Sequence, residues 1–194
     1  MPSIAPRCVW LDNVSGGRLA AEYLYKKGHR DIAIISFNSQ NQDQEERIQG
    51  VKQGLAGKGI SVPDENIMFA SNDNPHKLSI SEYCVTALNE LYARGAKFTA
   101  VVAYNDEMAI GVMNALFDMG KNVPNDVSVV GFDDLDIAQI CRPALTTIRY
   151  PIVEMAEYAT KLSLSLTSSE PEGFERTHLF MPTIVERKSV KDIN

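Results

Sequence analysis

The chain has 194 residues, 44% hydrophobic and 23% charged, with a net charge of −6. That length can bury a sizeable core in one domain or two small lobes, and no apolar run approaches the ~20 residues needed to cross a bilayer. The acidic balance, with no segregated Lys/Arg cluster, disfavours direct binding to a phosphate backbone.

In chain order, strand-like runs alternate with helical patterns. Apolar runs at 8–11, 32–35, 67–70, 99–103 and 127–130 are short, continuous and bounded by turn residues, so all five read as strands covered on both faces. Between them, residues 15–27, 43–57, 81–94 and 106–119 repeat apolar side chains every three to four positions. Gly28, Gly95 and Gly120 follow three of these helices as left-handed caps. The alternation predicts an α/β fold with a doubly wound, mainly parallel sheet.

After residue 143 the pattern changes. LTTIRYP reads as a short extended piece, Pro151 opens a helix to about 166, and TSSEPEG is a polar turn. THLFMPTIVERKSV reads as a strand broken at Pro182. The helix carries Ile152, Met155, Ala156, Ala159 and Leu162 on one side, with no further βα unit to cover them. That side is expected to pack on the first sheet or to lack its partner within this chain.

Three strand ends carry the chemistry, because open parallel sheets bind ligands beyond the carboxyl ends of their strands. Arg47 follows the second run, Asn105 follows the fourth, and Asp133, in VSVVGFDDLD, follows the fifth. A carboxylate accepts from adjacent hydroxyls, a carboxamide donates and accepts, and a guanidinium donates in a fixed fork. Together they suit a neutral polyhydroxylated ligand and need no proton transfer. A divalent cation is disfavoured by Arg47, and neither GxGxxG nor GxxxxGK[ST] spacing is present for a nucleotide. No GxSxG occurs, and His29, His76 and His178 sit away from these strand ends as structural or solvated residues. Cys8, Cys84 and Cys141 form neither a disulfide framework nor, with the histidines, zinc spacing. No cofactor, no metal and no enzymatic activity are therefore expected. Residue by residue the plainer reading is weighed too: Asp106 and Asp134 as helix N-terminal acids, Asp136 as a solvated side chain, and Arg47 paired with Asp43 or Glu46 on the surface.

Nearly the whole chain resembles the effector-binding domain of the lactose/galactose repressor (LacI/GalR) family, most of all its galactose branch. AYNDEMAIG, VGFDD and LTTIRYP are the most specific stretches, joined by CVWLDNVSG and MPTIVERKSV. The resemblance implies a periplasmic-binding-protein-like (type I) fold, a small sugar effector close to galactose, and a homodimer. By motif it places Arg47, Asn105 and Asp133 among the effector contacts and adds Ile152 as an apolar contact from the other lobe. The loop 72–78 stays unassigned. It further implies that residues 1–143 and 176–194 form the C-terminal lobe and 144–175 a returning segment of a partial N-terminal lobe. Operator DNA would be bound only through a helix-turn-helix domain outside this sequence. The opening MPSIAPRCVWLDN has no export signal, so a cytoplasmic repressor is expected, with a periplasmic sugar-binding transport receptor as the alternative.

Overall fold

The computed structural model describes residues 8–37, 41–70, 79–165 and 177–194. The loop 72–78, His76 and the TSSEPEG turn lie outside the described residues.

In chain order the elements are β1 (Cys8–Leu11), α1 (Asn13–Lys26), β2 (Ile32–Phe37), α2 (Gln42–Ala56), β3 (Ile67–Ala70), α3 (Ile80–Ala93), β4 (Ala100–Ala103) and α4 (Asp106–Asp118). They continue as β5 (Ser128–Asp133), α5 (Asp136–Ile140), β6 (Thr146–Arg149), α6 (Ile152–Ser165), β7 (Thr177–Phe180) and β8 (Thr183–Val185). Six strands form one sheet in the order β3-β2-β4-β5-β6-β8, and β1 and β7 form a second, parallel pair. Among the described residues, only β8 runs antiparallel, against β6.

The large sheet is wound on both faces because its strands alternate between two cores. Ala33, Ile35, Val101, Ala103 and Val129 meet Leu88, Leu91, Val112 and Leu116 from α3 and α4. Ile34, Val102, Val130, Phe132 and Ile148 meet Ala20, Leu24, Val51 and Leu55 from α1 and α2. Neighbouring residues of a strand point to opposite faces, so a run apolar at every position needs helices on both. Gly28 and Gly120 take φ of 92° and 72°, the left-handed conformation that ends α1 and α4.

Two expectations need revision. The run 8–11 does form a strand, but not one buried in the main sheet: among the described residues β1 pairs only with β7, and its residues are half-buried or exposed. A continuous apolar run specifies extended backbone without naming its partner. Residues 146–149 stay in the large sheet as β6, hydrogen-bonded to β5, and α6 follows them. Pro182 does not merely interrupt a strand. It separates β7 from β8, which belong to different sheets.

The departing helix α6 rests on the small pair. Tyr158 stacks on His178 of β7 with centroids 4.2 Å apart and meets Phe180 edge-on at 5.8 Å. Leu162 is buried, whereas Ile152, Val153 and Leu164 remain exposed.

Helices α1 and α2 cross at glycines. A Cβ on Gly17 would overlap the carbonyl oxygen of Arg47, and one on Gly50 would overlap that of Val14. Backbone cannot yield as a flexible side chain can, so Gly50→Ala is expected to cost about 2 kcal/mol of folding free energy. Urea unfolding at constant m-value checks it.

Candidate functional site

The three strands chosen from the sequence, β2, β4 and β5, lie side by side in the large sheet. Arg47 comes from the second turn of α2, Asn105 caps α4, and Asp133 ends β5. The structure brings Arg47 and Asp133 together, with Nη2 3.6 Å from Oδ1. Arg47 also reaches the Tyr104–Asn105 turn, where Nη1 donates to the Tyr104 carbonyl at 2.7 Å.

Arg47 is 9% exposed, so the alternative of a surface pairing with Asp43 or Glu46 does not hold. Its Nε donates instead to Asn13 Oδ1 at 3.0 Å. The guanidinium lies 4.6, 5.0 and 5.2 Å from the ring centroids of Tyr104, Phe132 and Tyr150. Each is within the ~6 Å range where a ring quadrupole attracts a cation. Such a cage holds the charge in place while leaving the Nη2 protons uncommitted to Asn13 or Tyr104.

Asp133 sits at φ 104°, outside the regions L residues favour. Local backbone strain of this kind persists only where the surrounding structure over-determines it, and it concentrates at functional sites. Burial pushes the Asp133 carboxyl upward, Arg47 pulls it back, and Glu107 adds a smaller upward push. Asn105 accepts from the Met108 N–H at 2.9 Å through Oδ1, so its amide N–H groups are what remain for donation. Ile152 is 57% exposed at the start of α6. It shares with Asp133, Tyr150, Met181 and Thr183 an open depression of about 490 Å³.

The neighbouring acids depart from the helix-terminal reading. Asp106 does lie in the first turn of α4, but it is fully buried and works sideways. It accepts from Thr147 Oγ1 at 2.5 Å and from the Leu135 N–H at 2.8 Å. Asp134 precedes α5 without capping it, and its carboxylate is held by Arg149 and Arg187. Asp136 is exposed, as expected. His29 is buried between Thr99 Oγ1 and the Lys191 carbonyl, a structural role. All three cysteines are free. Among the described residues, no group of three or more His, Cys, Asp or Glu could hold a metal ion, and no helix is long and apolar enough to cross a membrane.

Burial raises the Asp106 carboxyl to about 6 from an ordinary 3.8. The folded state therefore holds this proton more tightly than the unfolded chain does. Stability from this group is greatest below about pH 4 and falls as pH rises through about 6, by roughly 2–3 kcal/mol. Asp106→Asn, which can still accept from Leu135 and donate to Thr147, is expected to remove that slope in urea titrations between pH 4 and 7.

Sequence reasoning missed Asn13, Tyr104, Phe132 and Tyr150 as the setting of Arg47. Asn13 and Tyr150 do follow strand ends, but they follow the two strands at the crossings between sheets, where no ligand was sought.

A strained carboxylate at the end of β5 thus faces a caged guanidinium from α2, across β4, on an α/β sheet, and the carboxylate lines an open hollow. The chain belongs to the family of the periplasmic binding protein-like domain, which it matches over residues 21–190. It is 42% identical over 190 residues to the HTH-type transcriptional regulator GalR of Escherichia coli K12, covering 98% of this chain and 53% of that protein. The chain thus spans about half the length of the curated relatives it matches. Among solved structures, it is similar to a sugar-binding transcriptional regulator of the LacI family from Escherichia coli, complexed with phosphate. That likeness has a TM-score of 0.83 and 32% identity, covering 95% of this chain and 63% of the other. A LacI family regulator from Enterococcus faecium with bound ribose gives 0.82 and 27%, over 100% and 69%. These relatives are transcriptional regulators.

Proposed function

We propose that this chain is the effector-sensing module of a sugar-responsive transcriptional repressor, with galactose or a closely related hexose as effector. One observation carries the reading: Arg47 Nη2 and Asp133 Oδ1 stand 3.6 Å apart, and Asp133 also lines the open depression. That gap is too long for a direct hydrogen bond, yet it admits a hydroxyl oxygen about 2.8 Å from both, accepting from one and donating to the other. Asn105 supplies a further donor nearby in the fold, and Ile152 with Met181 gives the hollow apolar surface for the carbon side of a sugar ring. Carbohydrate specificity of this kind rests on polar groups left stranded when the wrong ligand enters.

The assignment of lobes follows. The six-stranded sheet with α1–α5 is the C-terminal lobe, and β1, α6 and β7 belong to a partial N-terminal lobe reached by crossings near 12, 150 and 182. Effector binding would favour one arrangement of the lobes and so reset paired DNA-binding domains, a shift bounded by the difference in affinity between the two states. DNA binding belongs to a helix-turn-helix part outside this sequence, and the site of action is the cytoplasm. A periplasmic transport receptor shares the fold, but the likeness to GalR over almost the whole chain favours the repressor.

A homodimer is supported by apolar side chains on α4 and α5. Phe117 is 75% and Ile140 66% exposed, with Ile137 close to Ile140 on the same short helix. Phe117→Asp is expected to shift sedimentation of the full-length protein toward the monomer; an unchanged dimer would place the interface elsewhere. Calorimetric titration of the full-length protein with a hexose panel tests the effector. Saturable binding that includes D-galactose is expected, and binding of no hexose would refute the reading.

A further inference from the structure

Asn13 is 1% exposed and stands at the first position of α1. Its carboxamide is engaged at both ends. Oδ1 accepts from Arg47 Nε at 3.0 Å and from the Tyr150 hydroxyl at 3.2 Å. Nδ2 donates to Asp43 Oδ1 at 3.1 Å and to Glu46 Oε2 at 3.4 Å.

Charge fixes which way the amide faces. Turning it over would set its N–H2 against a guanidinium and its oxygen against two carboxylates, wrong at three of its four partners, with the Tyr150 hydroxyl alone able to accommodate it. No other side chain of similar size both accepts from an arginine and donates to two acids. Aspartate would repel Asp43 and Glu46, and leucine could accept nothing.

The chain positions give this local bond its reach. Asn13 follows β1 by two residues, where the backbone leaves the two-stranded sheet for the six-stranded one. Tyr150 follows β6 directly, where the backbone leaves the large sheet for α6. One oxygen atom therefore joins two crossings that are 137 residues apart, and it joins both to Arg47.

We propose that Asn13 is a positioning residue that couples the orientation of the Arg47 guanidinium to the arrangement of the two crossings between the sheets. A change in either crossing moves the shared oxygen, and Arg47 Nη2 then shifts relative to Asp133. The placement of the small sheet and the affinity of the hollow become parts of one equilibrium, with reciprocal effects. The consequence for affinity rests on the effector reading above, whereas the tie to the guanidinium does not.

Two measurements on the full-length protein separate these. Without ligand, the Nε–H resonance of Arg47 should exchange with solvent about tenfold faster in Asn13→Ala, and should move in Tyr150→Phe, which keeps the ring and removes only the hydroxyl. With D-galactose, Asn13→Ala should weaken binding by about tenfold or more, and the double variant should bind no more weakly than Asn13→Ala alone, since the hydroxyl acts through Asn13. An Arg47 resonance unchanged in both variants, or strictly additive losses of affinity, would overturn the proposal. If the resonance responds while even the wild type ignores D-galactose, the positioning role stands and the effector reading falls. Should Asn13→Ala fail to fold, Tyr150→Phe decides alone: its Arg47 resonance must move.

Discussion

Asp134→Ala is expected to lower the folding free energy by about 4 kcal/mol. The Asp134 side chain is 5% exposed and binds two arginines, Arg149 Nε to Oδ2 at 2.6 Å and Arg187 Nη2 to Oδ1 at 2.5 Å. Arg149 ends β6 and Arg187 follows β8, so one carboxylate ties three segments at this edge of the sheet. Most of the loss comes from Arg187, which is 13% exposed and, among the described residues, would keep a buried charge with the Leu145 carbonyl to receive it. Arg149 is half exposed and can return to water. Backbone conformation adds to the cost, because Asp134 has φ 57°, which alanine tolerates less well than Asp or Asn. Asp134→Asn keeps the shape, the φ preference and one acceptor, so its loss should be about half as large. Equilibrium urea unfolding measures both; no loss in Asp134→Asn would show that the charge contributes nothing, and equal losses that shape and φ contribute nothing.

Arg47→Ala is expected to weaken D-galactose binding by more than ~100-fold, the scale of removing a charge-assisted hydrogen bond along with the geometry that aims it. Removal strands Asp133, leaves Asn13 Oδ1 with Tyr150 alone, and empties the space between three aromatic rings. Arg47→Lys should recover little. An ammonium carries charge but cannot donate to Asn13 and the Tyr104 carbonyl at once in a fixed plane. Calorimetry on both variants, with melting curves to confirm folding at the assay temperature, provides the check. Near-normal affinity in Arg47→Lys would mean that charge alone suffices and the fork does not matter.

Much of the architecture was readable from local pattern. Alternating buried runs and amphipathic helices marked the doubly wound sheet, and the rule that ligands sit past strand ends picked out Arg47, Asn105 and Asp133. Pairing partners were not readable. Nothing within CVWL distinguishes a strand of the main sheet from one that pairs with the distant segment around His178. Asp133 and Asp134 look alike in GFDD, yet one faces Arg47 and the other locks two different arginines. Only the backbone at that turn, with positive φ at both residues, separates their directions. The aromatic cage was hidden for a similar reason: Tyr104, Phe132 and Tyr150 come from three strand ends and converge only once register is set.

Burial lifts the Asp133 carboxyl, so the ionised form that would accept a sugar hydroxyl under the proposed function is lost at a higher pH than for an exposed aspartate. Affinity should therefore fall on acidification, and the residual affinity of Asp133→Ala should lack that dependence.

Calorimetric titration of D-galactose into the full-length protein and its Asp133→Ala variant, at neutral pH and with both shown to be folded, tests the central claim most directly. The expected result is saturable binding by the wild type and a loss of about 1–3 kcal/mol, roughly fivefold to 150-fold, in the variant. Equal affinity in the two proteins would contradict it.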